Sequence, residues 1–342
     1  MPDRSEQCFI PSRPVKSALA LSLAALCLGG ASAAHAWEPT KPVEIVVPFS
    51  AGGATDQMAR SIQGIITKHK LMKQAIVVQN KAGASGAEGL LDMKASTGDA
   101  HKIVASSSGL YTVPLATGLP FNWRDLTPIA MVAQDQFVLW VNSDTPYKTA
   151  GDYLAAVKKT PDTFKMGGTS SKREDHMITA MIEKKAGVKF TYIPYKGGGE
   201  AATQLSGKHI DSNINNPSES VGQWRAGQHR ALCLFSETRS SYKEKVTETQ
   251  SWSDIPTCKE QGLDVEYEMV RVFLLPGKVP AEAAKFYEDL FQKVVATPEW
   301  KAYVEKNALK PTVAVGPALK DFLEKDEKAH KEIMGYAGFV AK

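Results

Sequence analysis

The sequence predicts an α/β protein of two lobes joined by a two-stranded hinge, and three observations carry that expectation. Apolar β-branched runs alternate with glycine- or hydroxyl-rich loops and with stretches of helical apolar spacing, over residues 43–109 and again over 149–235. That alternation is the β-loop-α signature of a parallel, doubly wound sheet, one for each series. The third observation lies at the end of the chain, where helical patterns at 281–296, 298–307 and 317–334 bring only a short extended piece at 312–315. Helices without strands must pack on a sheet built earlier, and the first sheet is the natural host. The chain then crosses between lobes twice, near 137–141 and near 267–273. The expected partition is 37–138 plus 268–342 for lobe 1 and 139–267 for lobe 2.

Residues 43–56 (VEIVVPFSAGGATD) open the first series as a strand, a tight Gly52-Gly53 turn and a helix start, with Thr55 or Asp56 as N-cap. Such a junction places backbone N–H groups and the positive end of a helix dipole at the carboxyl edge of a strand, where an anion is held without cationic side chains. Most such junctions in α/β proteins bind nothing. The two glycines are not followed by Lys-Ser/Thr, and GxGxxG is absent, so neither dinucleotide nor P-loop chemistry is indicated.

A helix at 56–69 follows, then a strand at 75–79, a glycine-rich turn at 81–89 opening a second helix, and a strand at 102–106. That strand runs into Ser106-Ser107-Ser108-Gly109, at the same carboxyl edge as the first loop, although Ser and Gly are also ordinary turn residues. Residues 117–127 read as loop, and 129–141 as two strands with a crossover. The second series has a helix at 149–159 and a strand at 164–167 running through Gly168-Thr169-Ser170-Ser171 into a helix at 172–187. This repeats the opening logic, so two loops, one per lobe, can grip one ligand. A strand at 190–194 leads into Tyr195-Lys196-Gly197-Gly198-Gly199 and a helix at 200–206. A strand near 210–213, the loop from Asn215, a helix at 220–225 and a strand at 230–235 complete the lobe. A long strand at 265–275 returns the chain.

With 342 residues, 43% apolar and 23% charged, the chain can fill two domains of about 150 residues each. Arg13 and Lys16 precede an apolar run at 18–34, and Ala34-His35-Ala36 supplies the small residues a signal peptidase reads, so 1–36 is expected to be a secretory signal delivering the chain to the periplasm. A membrane anchor normally needs about 20 apolar residues, and this run is shorter and glycine-broken. Cys27 follows Leu26 where lipoprotein processing wants Gly, Ala or Ser. Cys233 and Cys258 remain in the mature chain, either as one disulfide suited to an oxidising compartment or as two buried thiols. The formal charge is +4, of which 1–36 contributes +1 (Arg4, Arg13 and Lys16 against Asp3 and Glu6), leaving +3. Lys and Glu are interleaved along the helices, a solvated pattern that indicates no nucleic-acid or membrane patch.

Several blocks resemble the periplasmic solute-binding proteins of tripartite tricarboxylate transporters, the Bug-type family. They are VPFSAGGATD at 47–56, NKAGASGAEG at 80–89, the Ser107-Ser108-Gly109 turn, IPYKGGGEAATQLSGKHID at 193–211, NNPSESVGQWRAG at 215–227 and DIPTCKEQG at 254–262. They span nearly the whole mature chain, and the first and the YKGGG block are specific. The resemblance implies a type II periplasmic-binding-protein fold whose lobes close on a ligand carboxylate, held by backbone N–H groups and water from one loop of each lobe. Carried onto this chain it implies Phe49, Ser50, Ala51, Gly52, Thr55 and Asp56 from the first loop and Gly168, Thr169 and Ser170 from the second. Ser107, Ser108, Tyr195, Gly198 and Asn215 would line the cleft. The expected ligand is a small di- or tricarboxylate, or an aromatic dicarboxylate such as terephthalate stacked on Phe49 or Tyr195. Membrane transporter subunits are the expected partners, the receptor a monomer without cofactor.

The chain departs from the family pattern at Ser50-Ala51 and at Lys172-Arg173-Glu174-Asp175, which replaces a Gly/Ser-rich run before His176. Arg173 suits a distal carboxylate through its bidentate fork, or else faces solvent beside Glu174 and Asp175. Arg271, a charge inside an apolar strand, is a similar candidate, or else pairs with Glu266 or Glu268. No HExxH, CxxC or GxSxG occurs in the mature chain, and the histidines show no ligand spacing. His176 alone is expected near the cleft, in a structural hydrogen bond. A ligand-sensing partner of a membrane signalling protein and a periplasmic hydrolase are the alternatives to transport.

Overall fold

The computed structural model describes residues 37–342; the 1–36 segment expected to be a signal lies outside the described residues. Two five-stranded sheets organise the described chain. The first contains β1 (Val43–Val47), β2 (Ile76–Asn80), β3 (Lys102–Ser106), β4 (Leu126–Asp135) and β10 (Met269–Pro276), in the order β2-β1-β3-β10-β4. The second contains β5 (Val138–Asn142), β6 (Lys165–Thr169), β7 (Thr191–Tyr195), β8 (Ser212–Asn215) and β9 (His229–Leu234), in the order β7-β6-β8-β5-β9.

Both sheets are mixed, which corrects the wholly parallel sheets expected from the β-loop-α repeat. β1 pairs in parallel with β2 and β3, whereas β10 is antiparallel to both β3 and β4. Likewise β6 is parallel to β7 and β8, whereas β5 is antiparallel to β8 and β9. The reason lies in the connections. β4 ends at the carboxyl edge of its sheet and the chain passes through 136–137 straight into β5, which starts at the carboxyl edge of the other sheet and must run the opposite way. β10 returns under the same constraint.

The ten described helices are α1 (Ala54–Lys68), α2 (Ala87–Ala95), α3 (Gly109–Thr117), α4 (Ala150–Lys159), α5 (Glu174–Ala186), α6 (Gly198–Ser206), α7 (Pro217–Arg225), α8 (Ala281–Ala296), α9 (Pro298–Lys306) and α10 (Gly316–Tyr336). Strand alternation divides the first core: Ile45 and Val47 pack with Met58, Ile62, Phe273 and Phe291 on one face, and Val46 with Val104, Val272, Leu319 and Leu323 on the other. In the second sheet, Leu139 and Val141 join Tyr153, Ile178 and Ile182, while Val138 and Trp140 join Leu205, Trp224 and Trp252.

Three local expectations change. The GLYTVPLAT segment is helix α3, with Pro114 inside it, where no element was expected between the strand exit at 106–109 and the loop from 117. Helix α1 is capped by Gly53, not by Thr55 or Asp56. Helices α8 and α9 pack on the first sheet and α1, but α10 spans both lobes: Leu319 and Leu323 sit in the first lobe's core, and Met334, with Phe339 just past the helix end, in the second's. Cys233 of β9 and Cys258 are joined by a disulfide, and the 256–258 segment is hydrogen-bonded to Leu234 through Pro256 O and Cys258 N.

Candidate functional site

The carboxyl edges of the two sheets face one another across a cavity of about 500 Å³. Its first wall is the β1–α1 loop. Gly52 takes a positive φ of 80°, which turns the chain at no side-chain cost, and Gly53 caps α1 without any side-chain hydrogen bond. The first N–H groups of α1 are therefore left for a ligand anion. Asp56 shapes this loop from behind: Oδ2 accepts the Gly52 N–H at 2.8 Å, and Asn80 Nδ2 donates to Asp56 Oδ1 at 3.0 Å and to the Phe49 carbonyl at 3.1 Å. Burial works against its ionisation, but hydrogen bonds from Arg60, the Gly52 N–H and Asn80 outweigh it and hold the carboxyl below the usual range.

The facing wall is the loop after β6. Ser170 N–H donates to the Tyr195 carbonyl at 2.8 Å and Tyr192 Oη to the Ser170 carbonyl at 3.0 Å, fixing Ser170 at φ 55°. Helix α5 then opens with two buried acids. Asp175 accepts the Thr169 N–H, and Glu174 accepts from Ser108 Oγ and, at 3.2 Å, from Arg173 Nε. The Ser108–Glu174 bond runs from the end of β3 to the start of α5 and so joins the two walls. Arg173 also lies over the Phe49 ring, 5.7 Å from its centre. Burial raises the Glu174 pKa, but the Arg173 charge and the Ser108 hydroxyl more than reverse this, to about 2. Burial pushes Asp175 well above the carboxylate range, with Glu219 and Glu174 adding repulsion to which the Thr169 N–H is opposed. Burial and the Asp135 charge push Glu219 up to about 7.

The floor belongs to the crossing strands, through Phe137, Met269 and Arg271. Arg271 is 4% exposed, pairs with Asp135 (2% exposed), and donates from Nη1 to Thr55 Oγ1 at 2.6 Å. The expected partners Glu266 and Glu268 instead bind Lys259 and Lys310. Register explains the difference: Arg271 stands opposite Ala133, so Asp135, two residues along β4, shares its face.

Of the residues singled out from sequence, Phe49, Ser50, Thr55, Ser107, Thr169, Ser170 and Arg173 line the cavity. Ala51, Gly52, Asp56, Ser108, Gly168, Tyr195, Gly198 and Asn215 do not. Gly168 sits behind its loop, where a Cβ would come 2.6 Å from Asp175 Cβ. Asn215 is buried and donates from Nδ2 to the Gly198 carbonyl at 2.9 Å, bracing the loop whose neighbours Lys196, Gly197 and Asn216 reach the cavity. His176 makes a structural bond, accepting the Lys172 N–H at Nδ1 at 3.1 Å, and stacks on Tyr192. Sequence reasoning passed over Glu219 and Thr112, both in the lining. Glu219 lay in a block recognised only as a family match, and Thr112 in a segment to which no element was assigned.

A family model described as the tripartite tricarboxylate transporter family receptor matches residues 58–338. Protein BugT of Bordetella pertussis is 32% identical over 231 residues, covering 66% of this chain and 67% of that protein. The crystal structure of a TctC solute-binding protein from Polaromonas superposes with a TM-score of 0.71 at 28% identity, covering 87% of this chain and 99% of that one. Two structures from Rhodopseudomonas palustris share the fold: MatC with bound malate (TM-score 0.72, 18% identity, 86% and 99% covered) and a protein with adipate (0.73, 22%, 88% and 99%).

Proposed function

The chain belongs to the tripartite tricarboxylate transporter receptor family, and on that premise we propose that it captures a small carboxylate in the interlobe cavity and delivers it in the periplasm to membrane transporter subunits. The observation that carries the reading is the cavity itself, lined from both sheets and walled on one side by the uncapped start of α1. A ligand carboxylate accepts N–H bonds at 54–55, since the Thr169 and Ser170 N–H groups of the facing wall are already taken by Asp175 and the Tyr195 carbonyl. Phe49, Ser50, Thr55, Ser107, Thr169, Ser170 and Arg173 touch the ligand, and Asp56, Gly168 and Asn215 hold the loops in place. A volume of about 500 Å³ is in the range of small-molecule sites, and the malate and adipate held by proteins of the same fold are of suitable size.

The moving bodies are 37–138 plus 268–342 and 139–267, a division supported by strand membership and the two crossings at 136–137 and 267–269, with the end of α10 resting on the second body's core. Ligand bridging both walls shifts the population toward a closed form that the membrane partner reads. One chain supplies both walls, so the receptor works as a monomer. Thermal-shift screening of the purified protein against di-, tri- and aromatic carboxylates tests this. A specific ligand at a hundredfold its Kd adds about 2.7 kcal/mol, a rise of several degrees; a panel in which none raises Tm contradicts it.

A further inference from the structure

The geometry points to a strap: the end of α10 and the residues after it, 333–342, tie the two lobes together and limit how far the cavity opens. The inference rests on the two-body motion proposed above and adds what restrains it. Helix α10 starts on the first lobe, with Leu319 and Leu323 in that core, and there Tyr111 Oη of α3 donates to Asp326. One turn later the helix has changed lobes. Tyr267 Oη, from the second lobe's core, lies 2.8 Å from His330 Nε2 in a hydrogen bond, and Ile333, Met334 and Ala337 then pack against that core. No Gly or Pro falls between Ala318 and Met334, so the helix has no place to kink at the boundary.

Past α10 the chain turns back. Gly338 takes a positive φ of 70°, and the Phe339 N–H donates to the Met334 carbonyl at 2.9 Å, which closes the helix end and returns the Phe339 ring to the second lobe. That ring is buried and lies 4.4 Å from the ring of His176 in α5, which in turn stacks on Tyr192. Two residues later the Ala341 N–H donates to the Leu115 carbonyl of α3, in the first lobe, at 2.7 Å. Residues 326–341 thus pass from the first lobe to the second and back.

Both anchors are walls of the cavity. Val113, Ala116 and Thr117 of α3 line it on one side, and Arg173, Glu174 and Asp175, next to His176, line it on the other. Widening the cavity draws Leu115 away from His176, and residues 339–341 span that gap. Phe339 is held by burial, whereas Ala341 is exposed and held by one hydrogen bond, so Ala341 is the end that lets go. With it bound, the lobes keep the separation seen here; once it is released, they swing wider about the two strand crossings.

Double electron–electron resonance on the ligand-free protein tests this, with spin labels at Thr67→Cys of α1 and Thr203→Cys of α6, both exposed and one in each lobe; Cys233 and Cys258 are tied in their disulfide. We expect one narrow distance in this labelled parent. Ala341→Pro, which removes the N–H at an exposed site, and Phe339→Ala should each broaden the distribution and add distances several ångströms longer, with an unchanged circular dichroism spectrum. Should Phe339→Ala not fold, Ala341→Pro decides alone. Distances unchanged in the folded variants, or shifted shorter, overturn the strap. Because no ligand is present, the result is separate from the carboxylate screen. Longer distances beside a silent screen keep the strap and end the receptor reading; unchanged distances beside a responsive screen do the reverse.

Discussion

Replacing Arg271 with Met keeps the length and apolar stem of the side chain and removes only the guanidinium. What remains is Asp135, 2% exposed at the junction of β4 and β5, with its counter-ion gone and Thr55 Oγ1 short of a donor. Breaking one side of a buried pair costs about 3–5 kcal/mol, since the surviving charge stays desolvated. A chain of this size loses about 2 °C of Tm per kcal/mol, so Arg271→Met should melt roughly 6–10 °C lower and show a matching loss of unfolding free energy in urea. The pair itself is worth little against an apolar replacement, so adding Asp135→Leu should recover most of that loss. Ligand affinity should stay low in both variants, because the floor no longer offers a guanidinium. A single variant as stable as the parent, or a double variant no better than the single one, would refute this reasoning.

Three other predictions come from the same geometry. Reducing the Cys233–Cys258 bond opens a loop with a sequence separation of 25; the chain-entropy relation puts the loss at about 3.5 kcal/mol, read as a Tm drop with dithiothreitol that a Cys233→Ser/Cys258→Ser variant reproduces. Glu219 is raised from 4.5 to about 7, so the folded state keeps a proton that the unfolded state has released. Its stabilising contribution is full below pH 4.5 and is lost as pH rises through 7, by about 3 kcal/mol; Glu219→Gln should flatten that part of the stability profile in urea titrations at pH 5 and 8. Gly86→Ala meets a φ of 97° and would set a Cβ 2.7 Å from the Pro48 carbonyl oxygen, costing about 1–3 kcal/mol and weakening ligand binding by displacing the β1–α1 loop, both measurable by calorimetry.

Local signals made much of this architecture legible. The apolar runs at 43–47 and 102–106, the glycine turns and the helical spacing located most elements, because burial and turn chemistry are written in neighbouring residues. Strand direction was not legible in the same way: β5 and β10 are antiparallel because of where the previous strand ends, a fact of the whole chain path. Helix α3 went unassigned because Pro114 inside it works against a helix locally, whereas packing of Leu110, Tyr111 and Val113 in the core overrides that preference. Within the site, loop residues such as Phe49, Thr55, Thr169 and Ser170 were found through their position at strand ends. Asp56 and Asn215 were chosen for the same reason but turn to brace their loops. The Arg271–Asp135 pair joins residues far apart in sequence, so the anomaly of a charge in an apolar strand could be seen while its partner could not. Asp175 and Glu219 come beside Arg271 only in the assembled cavity, which no local pattern foreshadows.

A crystal structure of the protein with the strongest binder from the carboxylate screen tests the central claim most directly. The account predicts a ligand carboxylate between the sheets, within hydrogen-bonding distance of backbone N–H groups at 54–55, with Arg271 at its base. A ligand seated outside this cavity, or held without contact to the start of α1, would contradict it.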